Sequence, residues 1–424
     1  MVMIFSHRKL LKPPGWLCFG LASVMMPGAV VATSAQDYLE VPVLLDANTV
    51  LPAEWRQGDT FLVAEEVEND GLFNRYSLKT DNGRETLETN AALLMRIQEL
   101  KALKAMLEME RQQVFGDSLK AAAKAPFKGA AALVTSPIET SKGIAKGTGR
   151  FFSNLGYSIF SGDPDQDNAL KVALGYDAVK RQFAYEFGVD PYTDYEPLVD
   201  RLGEIARAAV VGGITPRAAL AAVSSPVATG IGLTATAESM RQLVRDNPPG
   251  ELRKINRAKL QGMGVGDDLA DAFLDNYNFN PQEKTLLVGA VDAMSQVKGR
   301  DVVILDASLA QDKSEARFDR LKAQMMAGYV AKVDAGVEVV NAGGTVGLLG
   351  KDGKLVLLAP VDYVSWTQGV AEKLMTLDRN VAKAGDFSAK ELWITGKIDS
   401  DARTHFEAAG WKVQEDAQDA LLKD

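Results

Sequence analysis

The first part of the chain contains short, mainly apolar runs of β-prone residues, which is a pattern typical of β-strands. Strand-like runs occupy residues 38–45, 60–67 and 76–80, and the last two flank Asn69-Asp70-Gly71. An Asp-Gly pair between β-prone runs is a hairpin signal. We therefore predict a small β-rich N-terminal module over residues 36–88.

The period changes after residue 88, where apolar residues recur every three or four positions, as on one face of a helix. This stripe contains Leu93, Leu94, Ile97, Leu100, Leu103 and Leu107. Such a stripe usually packs against the rest of its own fold. Residues 89–162 are therefore predicted to form a long amphipathic helix followed by a basic, Gly-rich arm.

Residues 163–300 keep the helical period in successive segments separated by Asn, Pro and Gly. The predicted helices are 170–187, 195–211, 216–223, 234–246, 251–263, 267–276 and 281–297. This pattern predicts a mainly α-helical central domain. The stretch 218–237 carries no charge, but it is rich in small residues and contains Pro226, so it favours close helix packing over a membrane span.

From residue 301 onwards strand-like and helical runs alternate, which is typical of an α/β domain. Strands are predicted at 302–305, 337–340, 346–349, 355–358, 391–396 and 411–413, and helices at 314–330, 363–377 and 400–409. Asp352-Gly353 marks a hairpin between two of these strands. The whole chain is therefore predicted to be a multidomain α+β protein with an α/β C-terminal domain over residues 301–424.

The N-terminus has the three regions of a secretory signal. Arg8, Lys9 and Lys12 provide a basic start, residues 16–31 are apolar, and small residues precede a cleavage site after Ala35. The apolar run is short for a membrane span, so we predict a removed signal peptide over residues 1–35 rather than a permanent anchor. The expected location is the periplasm or the outside of the cell.

Composition and charge limit the kinds of binding and catalysis that the chain can perform. The chain of 424 residues is 46% apolar and 24% charged, as in globular proteins. Removal of residues 1–35 takes away three basic residues and no acidic one, so the net charge changes from −9 to −12 and His405 is left as the sole His or Cys. Such a chain does not fit nucleic-acid binding, a zinc site or a Cys nucleophile. No metal and no cofactor are expected.

Carboxylates are the remaining candidate chemistry, because glycoside hydrolysis requires only two of them at a suitable distance. Asp190, Asp194 and Glu196 are interleaved with Tyr192 and Tyr195. This cluster is the place to look for an acid pair. Helix capping by Asp194 and ordinary surface charge are the simpler interpretation of the same residues.

Residues 121–160 reverse the charge of the rest of the chain, with five basic residues against Glu139. Large apolar residues lie between the basic ones, and Pro126 and Pro137 are eleven residues apart. Eleven residues make three helical turns, so a step of this length keeps one face apolar. The candidate contact residues of this arm are Phe127, Lys128, Val134, Ile138, Lys142, Ile144, Lys146, Arg150, Phe151 and Phe152.

In composition the arm resembles the Gly- and Lys-rich amphipathic helices at the C-termini of bridge-like lipid-transfer proteins of the chorein type. That resemblance implies affinity for a lipid surface and does not extend to the fold or transport activity of that family. Lysines on the wet face of such a helix would attract anionic lipid. Two other interpretations remain open: the arm packs along the helical domain, or it lies in a groove of a partner protein.

Together these features favour an exported bacterial cell-envelope protein with a non-enzymatic binding or scaffolding role. Its expected partners are an anionic membrane surface or another envelope protein, contacted through residues 124–160. The alternative is a carboxylate-dependent hydrolase with a cleft between the helical and α/β domains. The enzyme predicts a deep pocket on which two or more acids converge, and the binding protein does not.

Overall fold

A computed structural model describes residues 38–110, 168–212 and 234–423. In these ranges an antiparallel sheet comes first, and helical and sheet regions follow it. The prediction of a chain that combines α and β structure in this order is confirmed at that level.

The N-terminal sheet is antiparallel throughout. Its strands are β1 Val43–Asp46, β2 Gln57–Gly58, β3 Phe61–Val63, β4 Glu66–Asn69, β5 Asn74–Thr80 and β6 Gly83–Glu88, with short helices α1 Ala47–Val50 and α2 Ala53–Arg56 beside them. The order is β1-β4-β5-β3-β2, and β6 also pairs with β5. The predicted hairpin is present, since Asn69 pairs with Asn74 across Asp70-Gly71.

Helix α3, Asn90–Glu110, follows the sheet and has two packing faces. Leu93, Ile97 and Leu100 are buried against the N-terminal sheet. Further along the helix, Met106 and Met109 are buried among helices α4, Asn168–Glu186, and α5, Glu196–Gly212. The predicted amphipathic helix is therefore confirmed over these residues, and its first stripe is a packing face.

The central helices continue through α6 Ala235–Asp246, α7 Pro249–Gly262, α8 Asp267–Asp275, α9 Pro281–Ala293, α10 Asp301–Ser308 and α11 Lys313–Lys332. The predicted strand at 302–305 is wrong, because these residues lie within α10. Val303 and Ile304 are buried while Leu305 is exposed, so the apolar run belongs to one helix that is buried on one side. A short apolar run does not distinguish a strand from a helix of this kind. In the part of the chain that the structure describes, no helix has the length and hydrophobicity needed to span a bilayer.

The C-terminal sheet has the order β13-β11-β9-β8-β7. Its strands are β7 Glu338–Asn341, β8 Val346–Leu349, β9 Lys354–Ala359, β11 Ala389–Ile394 and β13 Trp411–Gln414; the short strands β10 Tyr363–Val364 and β12 Lys397–Ile398 pair separately. Strands β9, β11 and β13 are parallel, whereas β7, β8 and β9 form antiparallel hairpins, including the one predicted at Asp352-Gly353.

Helices α12 Gln368–Ala384, α13 Ser400–Ala408 and α14 Ala417–Leu422 complete this region. The crossovers between the parallel strands run through α12 and α13, as parallel pairing requires. The helix predicted at 363–377 begins later, at Gln368, because the Thr367 side chain caps it by accepting a hydrogen bond from the backbone N–H of Val370.

The N-terminal sheet is tied directly to the C-terminal region. The two carboxylate oxygens of Asp362 accept hydrogen bonds from the backbone N–H groups of Asn74 and Asn90, each at 3.0 Å. The hairpin turn lies against the start of α12, where a Cβ on Gly71 would come within 2.7 Å of the Thr367 hydroxyl. Gly71 also has a φ of +106°, which only glycine adopts without strain. These contacts hold the N-terminal sheet and the start of α3 against the C-terminal region.

Candidate functional site

A cavity of about 300 Å³ lies between α3, the central helices and the first turn after β9. Two helices supply one stripe of residues each, at steps of three and four. The stripe of α3 contains Ala91, Leu94, Met95 and Gln98, and the stripe of α11 contains Ser314, Arg317, Phe318, Leu321 and Gln324. The cavity is therefore built from residues that lie far apart along the chain, and it has the size of a small-molecule pocket.

Asp190 lies in the cavity wall, in the loop that follows α4. Its carboxylate accepts hydrogen bonds from the backbone N–H of Tyr192 and from the Asn280 side-chain amide, each at 2.8 Å. Burial raises the pKa of Asp190 to about 6, and the charges of Glu283 and Glu99 act in the same direction, against these hydrogen bonds. Asp190 therefore exchanges a proton close to neutral pH.

Asn280 fixes the position of Asp190 relative to Glu283. Its side-chain oxygen accepts from the backbone N–H of Glu283 at 2.9 Å, and the Glu283 carboxylate accepts from the backbone N–H of Asn280 at 3.2 Å. This capping box starts α9 at Pro281. The amide of Asn280 remains available for Asp190, so one side chain begins a helix and positions an acid.

The other carboxylates of the wall are held by donors of the protein itself. Glu99, which is 1% exposed, accepts from the Arg96 guanidinium at 2.8 Å and from the Thr193 hydroxyl. Asp362 is bound to two backbone N–H groups, and burial raises its pKa to about 7 against the lowering effect of these bonds. These two acids therefore have structural partners.

Three arginines of the described residues line the wall, and two of them have donors without acceptors. The third, Arg241, pairs with Glu238 and donates to the backbone oxygen of Tyr185. Arg320 donates to Gln324 at 2.6 Å, but its Nε is buried and has no acceptor, and the Nε of Arg317 is in the same situation. Neither guanidinium lies within ion-pair distance of a carboxylate in residues 38–110, 168–212 and 234–423.

Burial lowers the pKa of Arg320, yet an arginine in a protein stays charged. The charges of Glu283 and Asp190 raise the pKa of Arg320 against this effect of burial. Two cations of α11 therefore line the cavity.

The cavity also has an apolar wall. Leu94, Met95, Leu286 and Leu321 line it, and none of them belongs to the hydrophobic clusters formed by the described residues. Phe73 and Phe318 contact each other edge to face, with ring centroids 6.3 Å apart. Apolar surface in the cavity is therefore mainly aliphatic.

The structure separates the residues of the predicted acid cluster. Asp190 lines the cavity, whereas Asp194 is exposed and pairs with Lys313 at 2.8 Å. Glu196 lies in the first turn of α5, and the ring of Tyr195 lies under the Arg96 guanidinium at 3.9 Å. Of the five residues in that cluster, Asp190 is the one that lines the cavity.

His405, the sole His or Cys after residue 35, lies outside the cavity. His405 lies on α13 and stacks on Trp366, with ring centroids 3.8 Å apart, away from the cavity. Among the described residues no group of His, Cys, Asp and Glu side chains is arranged to hold a metal ion.

The basic arm lies outside the described residues. This concerns every candidate contact residue, namely Phe127, Lys128, Val134, Ile138, Lys142, Ile144, Lys146, Arg150, Phe151 and Phe152. The helix predicted at 216–223 lies outside them as well.

Sequence reasoning missed Glu283, Arg317 and Arg320. Arg317 and Arg320 lie in an ordinary amphipathic pattern with Phe318 and Leu321, where arginines usually face solvent. The signal that was present is the Asn-Pro start of α9 with Glu at its third position, which predicts a capping box but not the contact with Asp190.

Comparison of the chain with protein-family models, with curated proteins and with solved structures finds no match.

Proposed function

We propose that this protein binds a small anionic ligand in the cavity, in a non-enzymatic binding role. The observation that carries the proposal is the pair Arg317 and Arg320, which face the cavity without a carboxylate partner among the described residues. A buried N–H group without an acceptor is costly, and an anion at the two guanidinium groups would supply acceptors. The planar fork of arginine suits carboxylate and phosphate oxygens.

The acids of the wall do not form ion pairs with these two arginines in the described residues, although the charges of Glu283 and Asp190 act on Arg320. Glu99 and Asp362 already accept hydrogen bonds from protein donors, and Asp190 accepts from Tyr192 and Asn280. The Nε atoms of Arg317 and Arg320, in contrast, have no acceptor in that part of the chain. The groups left without a hydrogen-bond partner are therefore donors, which supports an anionic ligand.

The proposal places this binding role in the bacterial cell envelope. Support comes from the sequence: the basic start, the apolar run and the small residues before Ala35 have the form of a secretory signal. We further propose that residues 124–160 contact an anionic membrane surface or another envelope protein. The proposed division into a β-rich module at 36–88, a helical domain at 163–300 and an α/β domain at 301–424 is compatible with two sheets formed by separate stretches of chain.

Thermal unfolding in the presence of phosphate or acetate tests the binding of anions. We expect the unfolding midpoint to rise with anion concentration and to saturate, relative to chloride at the same ionic strength, because a ligand that binds only the folded state stabilises it. The double variant Arg317→Gln/Arg320→Gln should lose this rise. Arg84→Gln is the matched control, since Arg84 is exposed and lies outside the cavity. An equal rise in all three proteins would contradict the proposal.

A carboxylate-dependent hydrolase is the second candidate function, and Asp190 is the observation that favours it. A carboxyl group with a pKa near 6 can donate a proton at neutral pH, and Glu283 is close enough for its charge to raise that pKa. Nitrophenyl glycosides and nitrophenyl esters test this candidate. Turnover that is lost in both Asp190→Asn and Glu283→Gln would support it, and absence of turnover in the wild type excludes these substrate classes.

A further inference from the structure

The apolar wall of the cavity is not explained by a site for a bare anion. Leu94 and Met95 lie between Leu93 and Ile97, which pack on the sheet, yet they face the cavity. Leu286 and Leu321 approach from α9 and α11. Three helices thus direct aliphatic side chains into one space.

An aliphatic side chain that is not covered by other atoms stabilises the fold less than one that is fully packed. Each Å² of apolar surface that stays in contact with water forgoes about 25 cal/mol of stabilisation. The neighbouring positions of the same helices are packed into clusters, so these helices can bury leucines elsewhere. A ligand with a hydrocarbon part would cover the exposed aliphatic surface.

We propose that the ligand is a single-chain amphiphile, with one carboxylate or phosphate group at Arg317 and Arg320 and an alkyl chain over Leu94, Met95, Leu286 and Leu321. This inference rests on the proposed anion site. The arginines are three residues apart on α11, so they face one head group rather than two. The flexible thioether of Met95 adapts to a chain.

The chemistry of the wall selects an alkyl chain over an aromatic ring or a sugar. The rings of Phe73 and Phe318 are engaged with each other, so they do not offer a stacking slot. The amide oxygen of Gln324 already accepts from Arg320, whereas a sugar requires many free polar partners. The lining as a whole is more apolar than polar, which favours an alkyl chain.

Titration calorimetry with acetate, hexanoate, octanoate and decanoate, each below its micelle concentration, tests the proposal. We expect affinity to rise by up to about fourfold for each added methylene until the chain fills the cavity. Decanol, which has the chain without the charge, should bind at least tenfold more weakly than decanoate. This comparison uses the wild-type protein and does not depend on a variant that folds.

Variants then locate the chain. Leu94→Asn/Leu321→Asn should bring the affinity for decanoate down towards that for acetate, while the affinity for phosphate stays the same. Leu309→Asn is the control, because Leu309 is 56% exposed and lies outside the cavity. The unfolding midpoint of each variant checks that it is folded.

The outcomes distinguish the two levels of the proposal. If anions bind through Arg317 and Arg320 but affinity does not depend on chain length, the amphiphile inference is overturned and the anion site stands. If no anion binds, the anion site itself fails and the inference fails with it. If decanoate binds to the arginine variant and to the leucine variant as tightly as to the wild type, the chain lies elsewhere and the inference is overturned.

Discussion

At the scale of single residues, Asp190 and Asp362 are two carboxyl groups with different roles. Both have raised pKa values because burial disfavours their charged forms. Asp362 is 6% exposed and joins two backbone segments, whereas Asp190 is half-buried and borders the cavity. The first is therefore a structural group, and the second is available to a ligand.

Asp362→Asn should destabilise the protein in a pH-dependent way. The amide offers one acceptor to two backbone N–H groups, so we expect a loss of about 1–3 kcal/mol at pH 5. The pKa of Asp362 is raised from 3.8 to about 7, so its contribution to stability is full below pH 4 and is lost as the pH rises through 7. The wild type should thus lose about 2–3 kcal/mol from this group between pH 5 and pH 8, and its advantage over the variant should shrink.

Urea unfolding of both proteins at several pH values measures that difference. The titration of Asp190 contributes equally to the pH dependence of stability in both proteins, so this contribution cancels in the comparison. A gap between the two proteins that stays constant from pH 5 to pH 8 would show that Asp362 is ionised throughout this range.

Ligand binding should take up a proton at Asp190. An anion at Arg317 and Arg320 adds negative charge near Asp190 and raises its pKa further, as Glu283 already does. Calorimetry of phosphate binding at pH 6.5, in two buffers with different ionisation enthalpies, should show this uptake. Asp190→Asn should bind phosphate without it; the same uptake in the variant would assign the proton to another group.

At the scale of elements, the sequence was most informative where a helix begins with a clear N-terminal signal. The start of α9 was predicted at Pro281 because Asn280 and Pro281 are strong N-terminal signals. The run 302–305 was predicted as a strand and is a helix, because four apolar residues carry no period. The pairing of Asp190 with Asn280 is a tertiary contact across ninety residues, and no local pattern predicts it.

Asn280 variants separate the two roles of its side chain. Asn280→Ala should lower stability by about 0.5–2 kcal/mol through loss of the cap, and should raise the pKa of Asp190 through loss of a hydrogen bond. Asn280→Ser keeps a capping oxygen and lacks the amide, so it should raise this pKa at a smaller cost in stability. NMR titration of the Asp190 carboxyl and urea unfolding measure both effects. An unchanged pKa in both variants would contradict the assigned hydrogen bond.

At the scale of the whole molecule, the cavity wall combines α3, the loop at 188–190, α9 and α11. Sequence pattern indicated each helix and pointed to Asp190 as a candidate acid. It did not indicate that Leu94 faces a cavity while Leu93 faces a sheet, because both belong to the same apolar stripe. Which part of a stripe is covered depends on how helices meet, and that is set by contacts such as those of Asp362.

Flotation with liposomes tests the proposed membrane contact of the arm. We expect the mature protein to float with anionic liposomes and not with neutral ones, and to be released by salt, because the attraction is electrostatic. The variant in which Lys128, Lys142, Lys146 and Arg150 are replaced by Glu should not float.

A second variant controls for overall charge. It places Glu at the exposed positions Lys79, Lys101, Lys351 and Lys412, which changes the net charge by the same amount. This control should still float. Loss of flotation in both variants would mean that total charge, and not the arm, governs binding.

The contact between Asp362 and the N-terminal sheet has a consequence for the order in which the protein can mature. The acceptor for the backbone N–H of Asn74 is Asp362, which is synthesised 288 residues later. At bacterial rates of elongation this is an interval of about 15 to 60 seconds. The contact that joins the N-terminal sheet to the C-terminal region therefore forms only after residue 362 has been synthesised, which is compatible with the proposed export of the chain.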